Sequence, residues 1–185
     1  MTAKHYVRQV TPNQQQIMSE ASHRLLMMRG IVVNAMTEVE SMIDDLLLKT
    51  LIRKNASHAF LDMLLWPELT LSLKIRMFEA IPLRDELKPL QEDACKEVMK
   101  LATIRNKFAH GLSVIDMDKK RRKAVIGLIV KKHNLFPVTE KTFNDFADKY
   151  ARIVNLFEKI MYAQKGLKPP TKETFKWIPL DRIDS

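Results

Sequence analysis

This sequence predicts a mainly α-helical protein with a small β element ahead of its last long helix, on three observations. Apolar residues recur with a period near 3.6 over most of the chain, the spacing that puts them on one face of a helix. Only four glycines occur in 185 residues, so there are few backbone breaks. One stretch has another texture: the apolar run Ala124–Val130, set between two clusters of lysine and arginine and rich in valine and isoleucine. That is the composition of a strand.

Taken in order, Thr11-Pro12 reads as an N-cap followed by a proline in the first turn. A helix follows to about Met28, with Ile17, Ala21, Leu25 and Met28 on one stripe, and Gly30 is expected to break or bend it. From Ile31 to about Lys54 a second amphipathic segment repeats Val32, Met36, Val39, Ile43, Leu46, Leu47 and Leu51. Its flanks carry Glu38, Glu40, Asp44 and Asp45. Trp66-Pro67 marks a turn, and residues 70–81 read as a helix stopped by Pro82. A long helix from about Asp85 carries Leu87, Leu90, Ala94, Val98, Leu101 and Phe108. Gly111 stands where a C-terminal cap would be. The apolar run then reads as a buried strand, paired in a hairpin with Leu135–Val138, although a buried helical turn has the same composition. Thr139 caps a last helix with Phe143, Phe146, Tyr150, Ile153, Val154, Phe157 and Ile160 on its inner face. The spacing of those aromatics assigns them to the core rather than to a base-stacking platform. The division expected is an arm over 1–11, one helical domain over 12–165 and an extended tail over 166–185.

Composition narrows the function. With 46% apolar and 29% charged residues the chain can bury a core, which excludes a disordered tail, a collagen-like repeat or a disulfide-stapled mini-protein. A single cysteine, Cys95, allows no internal disulfide and no cysteine-based zinc cage, and it reads as inert. No apolar run approaches the roughly 20 residues of a membrane span, and the polar first 20 residues do not read as a signal peptide. A cytoplasmic protein without a membrane partner is expected. Thirty-one Lys+Arg against 22 Asp+Glu leave a net charge of +9, an excess that attracts polyanions such as RNA and that a plain solubilising surface would also produce. The five histidines lack metal-ligand spacing and no nucleotide-loop or hydrolase motif occurs, so neither metal nor cofactor is expected.

What remains is Ile104-Arg105-Asn106-Lys107-Phe108-Ala109-His110-Gly111, at the end of the long helix. Asn106 and His110 are i,i+4 neighbours, so an amide and an imidazole share one face. Arg105 lies about 40° from Leu101, which lays its stem on the apolar stripe and requires a partner for its charge. Either it meets a phosphate or a partner chain, or it pairs with Glu38, Glu40 or Asp44. Arg105 and His110 are about 140° apart on an ideal helix, so they converge only if the last turn unwinds or two subunits meet. The block Lys119, Lys120, Arg121, Arg122 and Lys123, with Lys107, reads either as a track for an RNA backbone or as a solubilising guard for the following strand.

This segment resembles the Arg-Asn-x-x-x-His form of the Arg-x(4–6)-His motif of the HEPN superfamily. Arg29–Val33 leading to Glu38-Val39-Glu40 is similar to the first core helix of its mannitol-operon-repressor-like branch. Leu71–Met77 is similar to the next element, and the apolar run followed by Val138-Thr139-Glu140 to the helix–strand–helix close of small HEPN-like proteins. Residues 12–163 are covered. The resemblance implies a HEPN-like helical bundle, commonly a homodimer in which the motifs of two subunits face one cleft. In active members it implies a metal-independent endoribonuclease, as in toxin–antitoxin and phage-defence systems, where an antitoxin or regulatory protein is a further partner. Carried over, Arg105 would hold the scissile phosphate, His110 would act on the ribose 2′-hydroxyl or the leaving oxygen, and Asn106 would orient one of them. The products would be a 2′,3′-cyclic phosphate and a 5′-hydroxyl. The same resemblance admits a second class, a non-enzymatic, transcription-regulator-like module that uses this groove to bind protein or nucleic acid. A direct DNA-binding repressor ranks last, for want of a helix-turn-helix signature.

Overall fold

The computed structural model describes residues 11–51, 69–118, 123–130 and 134–168. The end of the second expected helix, the Trp66-Pro67 turn and most of the arm and tail lie outside the described residues. Within them the protein is mainly α, with a small antiparallel sheet placed before the last helix. The elements are α1 (Pro12–Leu51), α2 (Leu71–Ala80), α3 (Lys88–His110), β1 (Leu112–Asp118), β2 (Lys123–Val130), β3 (Asn134–Pro137) and α4 (Glu140–Gln164), with a 3-10 turn at Asp85–Leu87 leading into α3.

The first two expected helices are one. α1 runs unbroken for 40 residues, on the order of 60 Å. Gly30 does not break it, because a single glycine costs a helix only about 1 kcal/mol and the buried stripe runs past it on the other face. Leu25, Met28, Val32, Met36, Val39 and Ile43 are all buried, whereas Gly30 lies on the exposed side with no atom within 4 Å of where a Cβ would stand.

α2 begins where the sequence places it, because the Thr70 hydroxyl accepts from the Leu73 amide at 3.3 Å. α4 opens on a reciprocal cap: Thr139 Oγ1 accepts from the Thr142 amide at 3.1 Å, and the Thr142 hydroxyl binds back to the cap. α1, α3 and α4 touch one another in the core, with α2 against α1 and α3. Phe78 and Phe157 pack with ring centroids 5.6 Å apart. The inner-face aromatics of α4 are buried, as their spacing requires.

The sheet has the order β1-β2-β3. The hairpin of β2 with β3 is as expected; β1, which pairs Leu112 with Ile129 and Asp118 with Lys123, was not. Nor is β2 the buried strand expected of an apolar run. Only Gly127 and Leu128 of it are buried, and Val125 is 48% exposed. Leu128, Ile126 and Phe136 face the core, while Leu112, Val125 and Leu135 belong to the open face. Composition could not separate these roles, because both faces are apolar. The final amide of the hairpin, Val138 N, donates to Ile126 O at 2.9 Å and brings the chain directly to the cap of α4.

Candidate functional site

The C-terminal half of α3 positions the residues of interest. Leu101 and Phe108 are fully buried and fix the helix to the core, which turns Thr103, Asn106 and His110 outward. Their steps of three and four make one stripe. The β2–β3 end stands opposite, and between them opens a groove of about 640 Å³. Thr103, Asn106, Lys107 and His110 form its helical wall; Ile129, Val130, Leu135 and Phe136, with Asn134, form the other. The two walls are tied by Phe136, whose ring meets Phe108 edge-on at 6.2 Å and carries the Lys107 ammonium 4.3 Å from its centroid.

Asn106, Lys107 and His110 are thus brought together as the i,i+4 spacing implies. Arg105 is half-buried and is not among the residues lining the groove. Its guanidinium donates to Asn106 Oδ1 at 3.1 Å, so it reaches the groove through that amide. The ion pair with Glu38, Glu40 or Asp44 does not form. Those carboxylates are engaged elsewhere: Glu38 accepts from the Tyr150 hydroxyl, and Lys74 lies 2.7 Å from Asp44 and 3.9 Å from Glu40. Burial raises the Tyr150 hydroxyl above its ordinary range, and the bond to Glu38 and the charge of Glu38 raise it further. α3 keeps its helical form through His110, with Gly111 N donating to Lys107 O at 2.9 Å. The last turn therefore does not unwind, and one chain alone does not bring Arg105 and His110 to one point.

Gly111 ends the helix, but not with the left-handed cap a glycine there predicts. Its backbone is extended, at φ −70° and ψ 136°, a conformation open to any residue. Space is what selects glycine: a Cβ there would stand 2.5 Å from Lys107 O and 2.8 Å from Leu128 Cβ. Arg29 of α1, which no motif singled out as a site residue, donates to the Gly111 carbonyl and so satisfies the end of α3 from a distant segment. Gly111→Ala is expected to cost about 1–3 kcal/mol by forcing this junction apart. Chemical denaturation measures that loss, and the amide and imidazole NMR signals of His110 should move with it. An alanine variant as stable as the parent would show that the junction yields freely.

Of the basic block, Lys119, Lys120, Arg121 and Arg122 lie outside the described residues. Lys123 is exposed and opposite Asp118, at the far end of β2 from the groove. It stands six positions before Ile129, about 20 Å along the strand. Lys123 and the groove are not one site within a single chain. Cys95 is buried, which together with the charge of Glu79 pushes its thiol up to about 11, so the inert reading fits. Among the described residues no group of three or more His, Cys, Asp or Glu is placed to hold a metal ion. No described helix is long and apolar enough to cross a membrane.

The groove residues that sequence reasoning missed are Thr103, Ile129, Val130, Asn134, Leu135 and Phe136. Thr103 had a signal, since it stands three and seven residues before Asn106 and His110. The other five arrive through the register of the hairpin, which sets Leu135 opposite Ile129 and Phe136 opposite Leu128. No family model, curated protein or solved structure matches the chain.

Proposed function

We propose that this protein is a HEPN-like, metal-independent endoribonuclease that cleaves RNA in a cleft shared by two copies of the chain. The observation that carries the reading is that the motif is chemically available: Asn106, Lys107 and His110 face one open groove, and Arg105 is bonded to Asn106 rather than held by a buried carboxylate. Glu38, Glu40 and Asp44 have other partners, so the arginine is not needed to neutralise them. A planar guanidinium suits the non-bridging oxygens of a phosphate, and an imidazole moves protons near neutral pH.

In the reaction the ribose 2′-oxygen attacks phosphorus, losing its proton to a base, and the P–O5′ bond breaks as the 5′-oxygen gains a proton from an acid. A 2′,3′-cyclic phosphate and a 5′-hydroxyl result. His110 performs one of these transfers, and water performs the other. Arg105 stabilises the charge that develops on the phosphate, and Asn106 orients it. One feature favours the second reading, a regulatory or adaptor module: the roughly 140° between Arg105 and His110 on a helix that stays regular to its end. The two separate in an assay of the purified protein on mixed RNAs in EDTA. Fragments ending in cyclic phosphate support the nuclease. Intact RNA from a protein shown to be dimeric overturns it in favour of the adaptor.

A further inference from the structure

The groove beside His110 has two unlike walls and no carboxylate among its lining residues. One wall is a polar stripe with the Lys107 ammonium; the other is apolar, with the Asn134 amide at its edge. Its volume of about 640 Å³ lies well within the range of small-ligand sites and takes one nucleotide comfortably. A nucleotide has the matching asymmetry. The faces of its base are apolar, the edge of the base exchanges hydrogen bonds, and the phosphate is anionic.

We propose that this groove is a nucleotide subsite that takes one unpaired, unstacked base next to the cleaved bond, so that the protein selects single-stranded RNA. The inference rests on the nuclease reading. The base lies against Leu135 and Phe136, its edge faces the Asn134 amide, and the ribose and phosphate run along Asn106, Lys107 and His110. A nucleotide inside a duplex cannot enter, because both faces of its base are stacked and its edge is already paired. Charge decides for this occupant over a cationic peptide: the described lining holds a lysine and a histidine and no carboxylate to balance a second cation. Leu135 is the groove side chain that can be changed without disturbing the core. It is 57% exposed and packs over Gly127, where a Cβ would come within 2.6 Å of its Cδ1.

The test is fluorescence anisotropy in EDTA with a labelled RNA oligonucleotide whose sugars all carry a 2′-O-methyl group, so that no bond can be cleaved, single-stranded or annealed into a stable duplex. Wild type, Leu135→Asp and Val125→Asp are compared, with circular dichroism as the check on folding. Val125 lies on the open face of the same strand system but outside the groove, so it controls for added negative charge. Wild type should bind the single strand at least about tenfold more tightly than the duplex, and Leu135→Asp should lose that preference while Val125→Asp keeps it. Equal binding by both aspartate variants overturns the subsite. If RNA is still cleaved by wild type and not by His110→Ala, that outcome leaves the nuclease reading standing. Equal wild-type affinity for single strand and duplex also overturns the subsite, and a wild type that neither binds nor cleaves RNA overturns both.

Discussion

Lys74→Met should destabilise the protein by about 3 kcal/mol, at the lower end of what removing one partner of a buried ion pair costs. Lys74 sits on the inner face of α2, its side chain only 6% exposed, between Asp44 at 2.7 Å and Glu40 at 3.9 Å on α1. The two carboxylates are one turn apart on the same helix and would repel across a partly desolvated gap without the ammonium. Methionine keeps the length and most of the volume of the lysine stem, so packing is preserved and the lost charge is what the experiment reads. The lower end of the range applies because Asp44 and Glu40 keep 21% and 31% of their side-chain surface and can recover some hydration. Urea denaturation followed by circular dichroism gives the difference directly. Adding Asp44→Asn should restore part of it, since one of the repelling charges is gone. A deficit below about 0.5 kcal/mol would class the cluster with exposed pairs and leave α2 held by its apolar face, with Ile75 and Phe78 at the centre.

The same cluster shows what a sequence can and cannot disclose. The four acidic residues on the flank of the second apolar segment are plain in the sequence, and so is a half-buried Arg105 needing a partner. Matching the two was reasonable chemistry. It failed because Lys74, on a helix whose own start was read correctly from Thr70, reaches Glu40 and Asp44 first, and that contact depends on how α2 lies on α1. Local signals made α2, α3 and α4 legible: an apolar stripe settles all three, and a hydroxyl before the first turn marks the start of α2 and α4. The union of the first two helices was hidden by giving Gly30 more weight than a single exposed glycine carries. β1 was missed for another reason. Its Asp116 and Asp118 break the apolar run of a strand, and its pairing partner begins only after the residues 119–122. Along α3 the stripe from Asn106 to His110 is local and was legible. The apolar wall of the groove is not, because Leu135 and Phe136 reach the groove only once β3 has paired with β2.

Arg105→Ala and His110→Ala should each lower RNA cleavage by about 100-fold or more, the scale of removing a transition-state donor or a proton-transfer group. Neither should reduce folding stability by more than about 1 kcal/mol, because neither side chain is buried in the core. The mixture of the two variants says more than either alone. On one regular helix Arg105 and His110 point about 140° apart, so a working centre in a symmetric dimer draws the arginine from one copy and the histidine from the other. In a mixed dimer one centre then lacks both groups and the other lacks neither. Equal amounts, unfolded and refolded together, give mixed dimers in half the population with one intact centre of two, so activity should return to about one quarter of wild type. Variants refolded apart and then combined without exchange should stay inactive. A mixture that remains as inactive as its components, with mixed dimers demonstrated by mass spectrometry, would mean that each centre needs all four groups or that arginine and histidine act from the same chain. The second alternative would require the end of α3 to unwind, which the Arg29 and Gly111 contacts oppose. Cleavage that survives both substitutions would place the chemistry elsewhere and leave the groove as a binding surface.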